Sequence, residues 1–300
     1  MARLETLAGR PYAWASRLAL SSVPFMPPSV RRHFLFVVCQ HRFGHFRSPR
    51  TFSEKVNWRI LHDRRDIIAL SCDKLWMKER ARRLGVRVPK HLWSGVDVAE
   101  LAAVELPERW VLKANHGSDR VYFGHGQVRD VTSLRAATAG WTANSRPARY
   151  GEWAYSKARP LLIVEEMLGD GDASPPDYKF FVFEGKPVLI VMETDRFSGH
   201  RRRFYSPSWE PLELQLGQLG AFTHLRPLAA ATPKPATLAT MLATATVLAE
   251  GYEFMRVDLY SIRGEVYAGE LTPYPGGGLT RFWPHAFDVE LGSHWRLPAV

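Results

Sequence analysis

The stretch of residues 254–278, FMRVDLYSIRGEVYAGELTPYPGGG, constrains the chain most tightly. It reads as two short antiparallel strands and a tight turn, followed by a Pro/Gly loop. Taken as a three-residue turn, Ile262-Arg263-Gly264 places Gly264 in a left-handed conformation. Ser261 then pairs with Glu265, and Arg256 lies opposite Glu270. Because side chains alternate along a strand, Arg256, Asp258 and Tyr260 share a face with Glu270, Ala268 and Val266. Asp258 and Glu270 become diagonal neighbours, roughly 7–8 Å apart at the backbone. That spacing suits two carboxylates holding Mg²⁺, which takes one or two carboxylates and fills its shell with water and phosphate oxygens. Arg256 can hold a phosphate and relieve the repulsion within the acid pair. The same residues equally fit an exposed hairpin with a surface ion pair of little energetic weight.

Three hundred residues suffice for a buried core in one large domain or a few closely packed lobes. No apolar run approaches the ~20 residues of a membrane-spanning helix. Basic residues and prolines break the apolar core that a signal peptide would need. The expectation is a cytoplasmic protein without a transmembrane segment, with a peripheral membrane contact left open. Cys39 and Cys72 form no CxxC pair and read as reduced thiols. The net charge is +10, and 31 of the 40 basic residues are arginine. Nucleic acid, an anionic membrane surface or an anionic small molecule would each suit that balance. No helix-turn-helix, zinc-finger or RNP signature accompanies it, so nucleic acid is not expected as a partner.

Residues 1–50 are basic, aromatic and broken by prolines, and predict short helices packed on a later domain. The alternative, a membrane-surface helix, is disfavoured by the proline cluster. Thr51-Phe52-Ser53-Glu54 has the form of a capped helix start. Asp73-Lys74 opens another helix that Gly85 stops. Arg109-Trp110-Val111-Leu112-Lys113-Ala114 reads as a buried strand ending in lysine, followed by the small-residue loop Asn115-His116-Gly117-Ser118. A lysine beside such a loop suits phosphate, although no Walker A or dinucleotide motif is present. An ordinary hairpin with Lys113 at its rim competes with that reading. Residues 161–166 form an apolar strand ending in Glu165-Glu166. Residues 177–183 and 187–192 form a hairpin with Asp177 and Lys179 on one face. Charged groups beside a core require partners, which marks these four residues. Residues 235–250 carry a helical apolar stripe that reads as core. Residues 291–300 read as a short tail. There is no internal repeat.

Taken together, Asp73-Lys74, Gly85, Pro89, Val111-Leu112-Lys113, Ile163-Val164-Glu165-Glu166, Asp177-x-Lys179, Arg256-Val257-Asp258 and Glu270-x-Thr272-x-x-Pro275-Gly276 resemble the ATP-grasp superfamily. TFSEKVNW, KANHGS, EWAYSK, DYKFFVFEGKP, FMRVDLY and GELTPYPGGG are similar to motifs of its TupA-like group, which is associated with teichuronopeptide and other surface-polysaccharide biosynthesis. The resemblance implies an α+β, ATP-grasp fold, with the nucleotide held between two lobes that carry antiparallel sheets. The corresponding division is an N-terminal basic helical extension over 1–50, an N-terminal lobe over 51–107, a small lobe with the glycine loop over 108–185, and a C-terminal lobe with the metal site over 186–300. It further implies ATP and Mg²⁺. Lys74 and Lys113 would contact phosphates, with Gly117 and Ser118 closing over them. Glu165, Glu166, Met167 and Leu168 would line the adenine, with Glu165 or Glu166 acidic at the nucleotide edge. Asp177 would hold the ribose, and Lys179, Arg196 and Arg256 would face the transferred phosphate. Asp258, Glu270 and Thr272 would hold the metal; Thr272 stands where many relatives have asparagine.

The implied reaction is ATP-dependent ligation of a carboxylate to an amine through an acyl phosphate. The expected partners are an anionic glycan or glycopeptide carboxylate and an amine donor. A kinase-type transfer to a glycan hydroxyl, a non-catalytic glycan- or nucleotide-binding protein, and a glycosyltransferase using the D-x-D at Asp170-Gly171-Asp172 are the alternatives.

Overall fold

The computed structural model describes residues 25–117, 120–143, 150–169, 175–194, 201–217 and 232–299. Ser118, Arg196 and the Asp170–Asp172 motif lie outside them. The first elements among the described residues are α1 (Pro28–Gln40), α2 (Phe52–His62), α3 (Asp66–Ser71) and α4 (Lys74–Arg83). Local chemistry sets the helix starts. The Thr51 hydroxyl accepts the Glu54 N–H, and the Glu54 carboxylate accepts the Thr51 N–H, a reciprocal cap on α2. Asp73 caps α4 by accepting the Trp76 N–H at 2.9 Å. Gly85, at φ 72°, ends that turn with the left-handed residue the sequence predicts.

Four strands form the smaller sheet: β1 (His91–Gly95), β2 (Arg109–Ala114), β3 (Val121–His125) and β4 (Leu162–Glu166). Their order is β1-β4-β2-β3, and every pair is antiparallel. Alternation sends Trp110 and Leu112 into a satellite core with Trp93, Leu101, Leu134 and Val164. Helix α5 (Val131–Ala137) and the 3-10 turn Val98–Ala103 close that core. Val111 and Lys113, on the opposite face, line a cleft.

The larger sheet contains β5 (Asp177–Phe183), β6 (Lys186–Thr194), β7 (Arg201–Tyr205), β8 (Pro211–Leu212), β10 (Phe254–Ile262) and β11 (Glu265–Thr272). Its order is β11-β10-β5-β6-β7-β8. A separate ribbon pairs β9 (Gln215–Gly217) with β12 (Arg281–Trp283). Helix α6 (Leu238–Leu248) packs across β10, β5 and β6 through Met241, Ala245 and Leu248. The opposite sheet face has two halves. Phe181, Phe183 and Phe254 make one half apolar, and Phe52 of α2 packs on it. Asp177, Lys179, Arg256 and Asp258 make the other half charged, because they continue the same alternation along β5 and β10.

The hairpin register differs from the sequence reading. The turn has two residues, Arg263 and Gly264, both left-handed at φ 51° and 80°, the geometry that follows the strand twist. Ile262 therefore pairs with Glu265. A bulge then places Asp258 directly opposite Glu270 and Arg256 opposite Thr272. Gly269 forms the bulge, and a Cβ there would lie 2.8 Å from the Tyr260 ring. Ala268 pairs with Leu259 and Val266 with Ser261, so neither shares the charged face.

Strand pairing crosses the divisions drawn at 107 and 185: β1 pairs with β4, and β5 pairs with β6 and β10. Residues 28–40 form a helix packed on the rest of the described chain. Buried Arg32 donates to Asn57 Oδ1 at 2.8 Å, to the Tyr150 carbonyl at 2.9 Å and to the Gly277 carbonyl. A further helix, α7 (His285–Ser293), precedes and runs into the tail read from residue 291, and it lacks a side-chain cap that would announce it.

The loop after β11 has three consecutive left-handed glycines, Gly276, Gly277 and Gly278, at φ 56°, 61° and 64°. A Cβ on Gly278 would lie 2.6 Å from Asn57 Nδ2 and 2.9 Å from the Ser53 carbonyl, whereas one on Gly264 would meet nothing within 4 Å. Gly264→Ala is expected to cost about 1 kcal/mol through backbone conformation alone. Gly278→Ala should cost about 2 kcal/mol more through crowding. Denaturant midpoints of the two variants check this, and equal losses would remove the crowding argument.

Candidate active site

One wall of the cleft is organised by a buried carboxylate. Glu165 on β4 is 0% exposed. Its Oε2 lies 3.2 Å from Lys113 Nζ at the end of β2, and its Oε1 is paired with Lys78 of α4. Burial would raise the Glu165 pKa, but the two ammonium groups outweigh it and hold the carboxyl at about 2. Burial pushes Lys78 down to about 8 against the pull of Glu165. Lys74, one turn earlier on α4, donates to the Gly117 carbonyl and stands 3.6 Å from Glu270 Oε1. α4 thus offers Lys74 to the cleft while Lys78 anchors the wall behind it.

Glu165 and Glu166 separate in role. Glu165 is the counter-ion of two lysines. Glu166 accepts the Lys90 N–H at 2.8 Å and borders the cleft together with Met167 and Leu168.

The other wall is the charged half of the larger sheet. Lys179 is buried among three carboxylates: Asp177, Glu193 at 3.1 Å and Asp258 at 3.6 Å. Burial lowers its pKa, but these acids, Asp177 foremost, raise it above the ordinary value. Arg256 grips Asp258 through two bonds of 2.7 Å and donates to Thr272 Oγ1 at 2.9 Å. Burial works against its charge, and Asp258 more than compensates, so its pKa also lies above normal. Glu193 is held from its far side by Arg202.

Between these walls lies a cleft of about 940 Å³, including space open to solvent. Lys74, Lys113 and Gly117 border it on one side, with Asp177, Asp258 and Glu270 on the other. Lys179, Arg256 and Thr272 do not border it but stand behind Asp258. Phe123 and Val111 supply apolar surface near Met167 and Leu168, the composition a planar base requires. Among the described residues no group of three or more His, Cys, Asp or Glu side chains converges to hold a metal. The cross-strand pair Asp258 and Glu270 is instead a two-carboxylate arrangement, which fits an Mg²⁺ whose remaining shell comes from phosphate and water. His116 is buried, and desolvation pushes its pKa down, which favours the neutral form.

Sequence reasoning missed Lys78, Glu193 and Arg202. Lys78 left a trace in its i+4 spacing from Lys74 on a helix. Glu193 and Arg202 left none, because their partners sit on neighbouring strands.

Glu165 yields a prediction about pH. Its proton affinity is lower in the folded than in the unfolded chain, so its contribution is present above pH 4.5 and lost as pH falls toward about 2. Glu165→Gln should cost on the order of 3 kcal/mol at neutral pH and flatten the acid limb of the stability curve. Urea titrations of both proteins between pH 7 and acid would reveal an unchanged acid limb if the assignment were wrong.

Residues 54–296 match the TupA-like ATPgrasp family. No curated protein matches the chain at a significant level. Among solved structures, D-alanine–D-alanine ligase from Bacillus anthracis complexed with ATP is 14% identical, with TM-score 0.42, over 70% of this chain and 58% of that one. The Helicobacter pylori D-alanine–D-alanine ligase is 14% identical, with TM-score 0.44, over 77% of this chain and 60% of that one. L-amino acid ligase from Bacillus licheniformis is 15% identical, with TM-score 0.42, over 69% of this chain and 41% of that one. The chain therefore spans three fifths or less of the length of these structures. With most of its length matched to one family, the chain belongs to the TupA-like ATP-grasp family.

Proposed function

We propose that this chain is an ATP-dependent ligase that joins a carboxylate to an amine. The observation that carries the reading is the opposition of two walls across one cleft: Lys74 and Lys113 on one, and the adjacent acids Asp258 and Glu270 on the other. Lysines facing a pair of metal-competent acids suit a nucleoside triphosphate with its divalent ion. Lys74 and Lys113 would meet the phosphates, Asp177 the ribose, and the backbone of Glu166, Met167 and Leu168 the adenine. Asp258 and Glu270 would hold Mg²⁺, with Thr272 beside them; the ion would neutralise charge on the β- and γ-phosphates. Arg256 and Lys179 stand behind Asp258 and would reach the transferred phosphoryl group only by leaving their acid partners.

In the proposed reaction a carboxylate oxygen attacks the γ-phosphorus and ADP departs. The amine nitrogen then attacks the acyl carbon, loses a proton and expels inorganic phosphate. This needs no nucleophilic Ser or Cys, only charges and aligned reactants. The family's association with surface-polysaccharide assembly supports a glycan or glycopeptide carboxylate as acceptor, modified in the cytoplasm where ATP is supplied. The Arg201–Arg203 cluster gives that acceptor little. Arg202 is buried on Glu193, and Arg203 meets Glu213 at 2.8 Å.

Incubation with Mg-ATP, a panel of glycan carboxylates and hydroxylamine should release ADP and yield a hydroxamate. A hydroxylamine-resistant phosphoester would instead assign phosphotransfer to a hydroxyl. Asp258→Asn and Glu270→Gln should each lower turnover by at least about 100-fold, with the melting temperature kept in Glu270→Gln and lowered in Asp258→Asn, which leaves buried Lys179 and Arg256 with one carboxylate fewer. Lys113→Ala should abolish the stabilisation given by Mg-ATP in a thermal shift. Retained turnover in both acid variants would sink the metal assignment.

A further inference from the structure

Helix α1 has an inverted polarity. Its inward face carries Arg31, Arg32, Leu35, Phe36 and Gln40, all buried. At about 100° per residue, Val30, Phe34, Val37 and His41 share the other side of the helix, where Val30 and His41 are exposed, Val37 is half-buried and Phe34 packs partly on the neighbouring core. Val30 is 54% exposed, and Phe25 and Phe43, which flank the helix, are 89% and 79% exposed. A lone exposed apolar side chain is ordinary. A helix that buries two guanidinium groups and exposes Val30, with a bare aromatic ring beyond each end, is not.

The charge around this surface has one sign. Residues 6–53 contain seven arginines, three histidines and no Asp or Glu. Arg42 is committed to Glu54 and Asp288, and Arg31 and Arg32 are buried. Arg47 and Arg50 remain exposed, as do His33, His41 and His45. Exposed aromatic rings beside arginines, with no acid among them, complement an anionic headgroup layer over an acyl interior. A second copy of this chain fits less well, because a two-fold contact would oppose the same acid-free surface to itself.

We propose that residues 25–50 form a docking surface for an anionic phospholipid bilayer, with Phe25, Val30 and Phe43 entering the interface and Arg47 and Arg50 meeting headgroups. No helix among the described residues is long and apolar enough to cross a membrane, so this attachment would be peripheral. It is independent of the chemistry proposed for the cleft.

Vesicle flotation of the full chain tests it, using phosphatidylcholine vesicles with and without phosphatidylglycerol. The chain should float with phosphatidylglycerol vesicles at low salt and much less with phosphatidylcholine alone. Phe25→Ser combined with Phe43→Ser should weaken flotation by on the order of tenfold. Arg47→Glu combined with Arg50→Glu should weaken it on anionic vesicles and remove its salt dependence. Unchanged melting temperatures would exclude misfolding as the cause. Absence of flotation by the wild type, or equal flotation by the Phe variant, would overturn the proposal. So would a dimer in sedimentation velocity that the Phe variant abolishes, since this would assign the surface to a second copy.

Discussion

Lys179 is the charge on which the larger sheet depends. It stands in a strand whose every residue is buried, and three carboxylates from three strands surround its ammonium group. Asp177 precedes it on β5, Glu193 comes from β6 and Asp258 from β10. A buried acid without a cation would hold its proton more tightly and stay neutral, which would end its use as a metal ligand. Lys179 allows these acids to sit together, and Arg256 and Arg202 complete the neutralisation at either end. The sheet's central strands can therefore carry ionised groups without water.

The opposing wall follows the same rule with the signs exchanged. There a single carboxylate, Glu165, holds two lysines. Each wall fixes its charges from behind, so the groups bordering the cleft need little reorganisation to meet a polyanion. Lys74 connects the walls, since it lies near both Gly117 and Glu270. A ligand with phosphates and a divalent ion would separate that contact and provide each group with a new partner.

Much of this was legible in the sequence where the signal is local. β2 and β5 have the bounds that alternation predicted, and the Thr51 and Asp73 caps act as their residue types require. The common face of Arg256, Asp258 and Tyr260 is intrinsic to any strand. Their partner strand departs from the register the sequence predicts, because Gly269 has no side chain to announce a bulge and Arg263 adopts a left-handed conformation that glycine usually takes. Arg32 could not be assigned at all: its carbonyl partner on Gly277 lies 245 residues away. Nor could Glu165 be told from Glu166, since consecutive strand residues differ only in which face the rest of the protein covers.

The triple-glycine loop after β11 has a consequence for how the gene can vary. Single-base changes in glycine codons lead to alanine, valine, serine, cysteine, arginine, tryptophan, aspartate or glutamate, but not to asparagine. Of these only aspartate tolerates a left-handed backbone with any ease. At Gly277 that side chain would grow toward Glu152, whose Oε1 lies 2.7 Å from the Cβ position. At Gly276 the Cβ position is already 2.0 Å from Thr280 Oγ1, and at Gly278 it abuts Asn57. The loop joining the Glu270 strand to the rest of the chain is thus bounded on every side by variants that fit poorly, and drift within it requires compensating change in Glu152, in α2 or in Thr280.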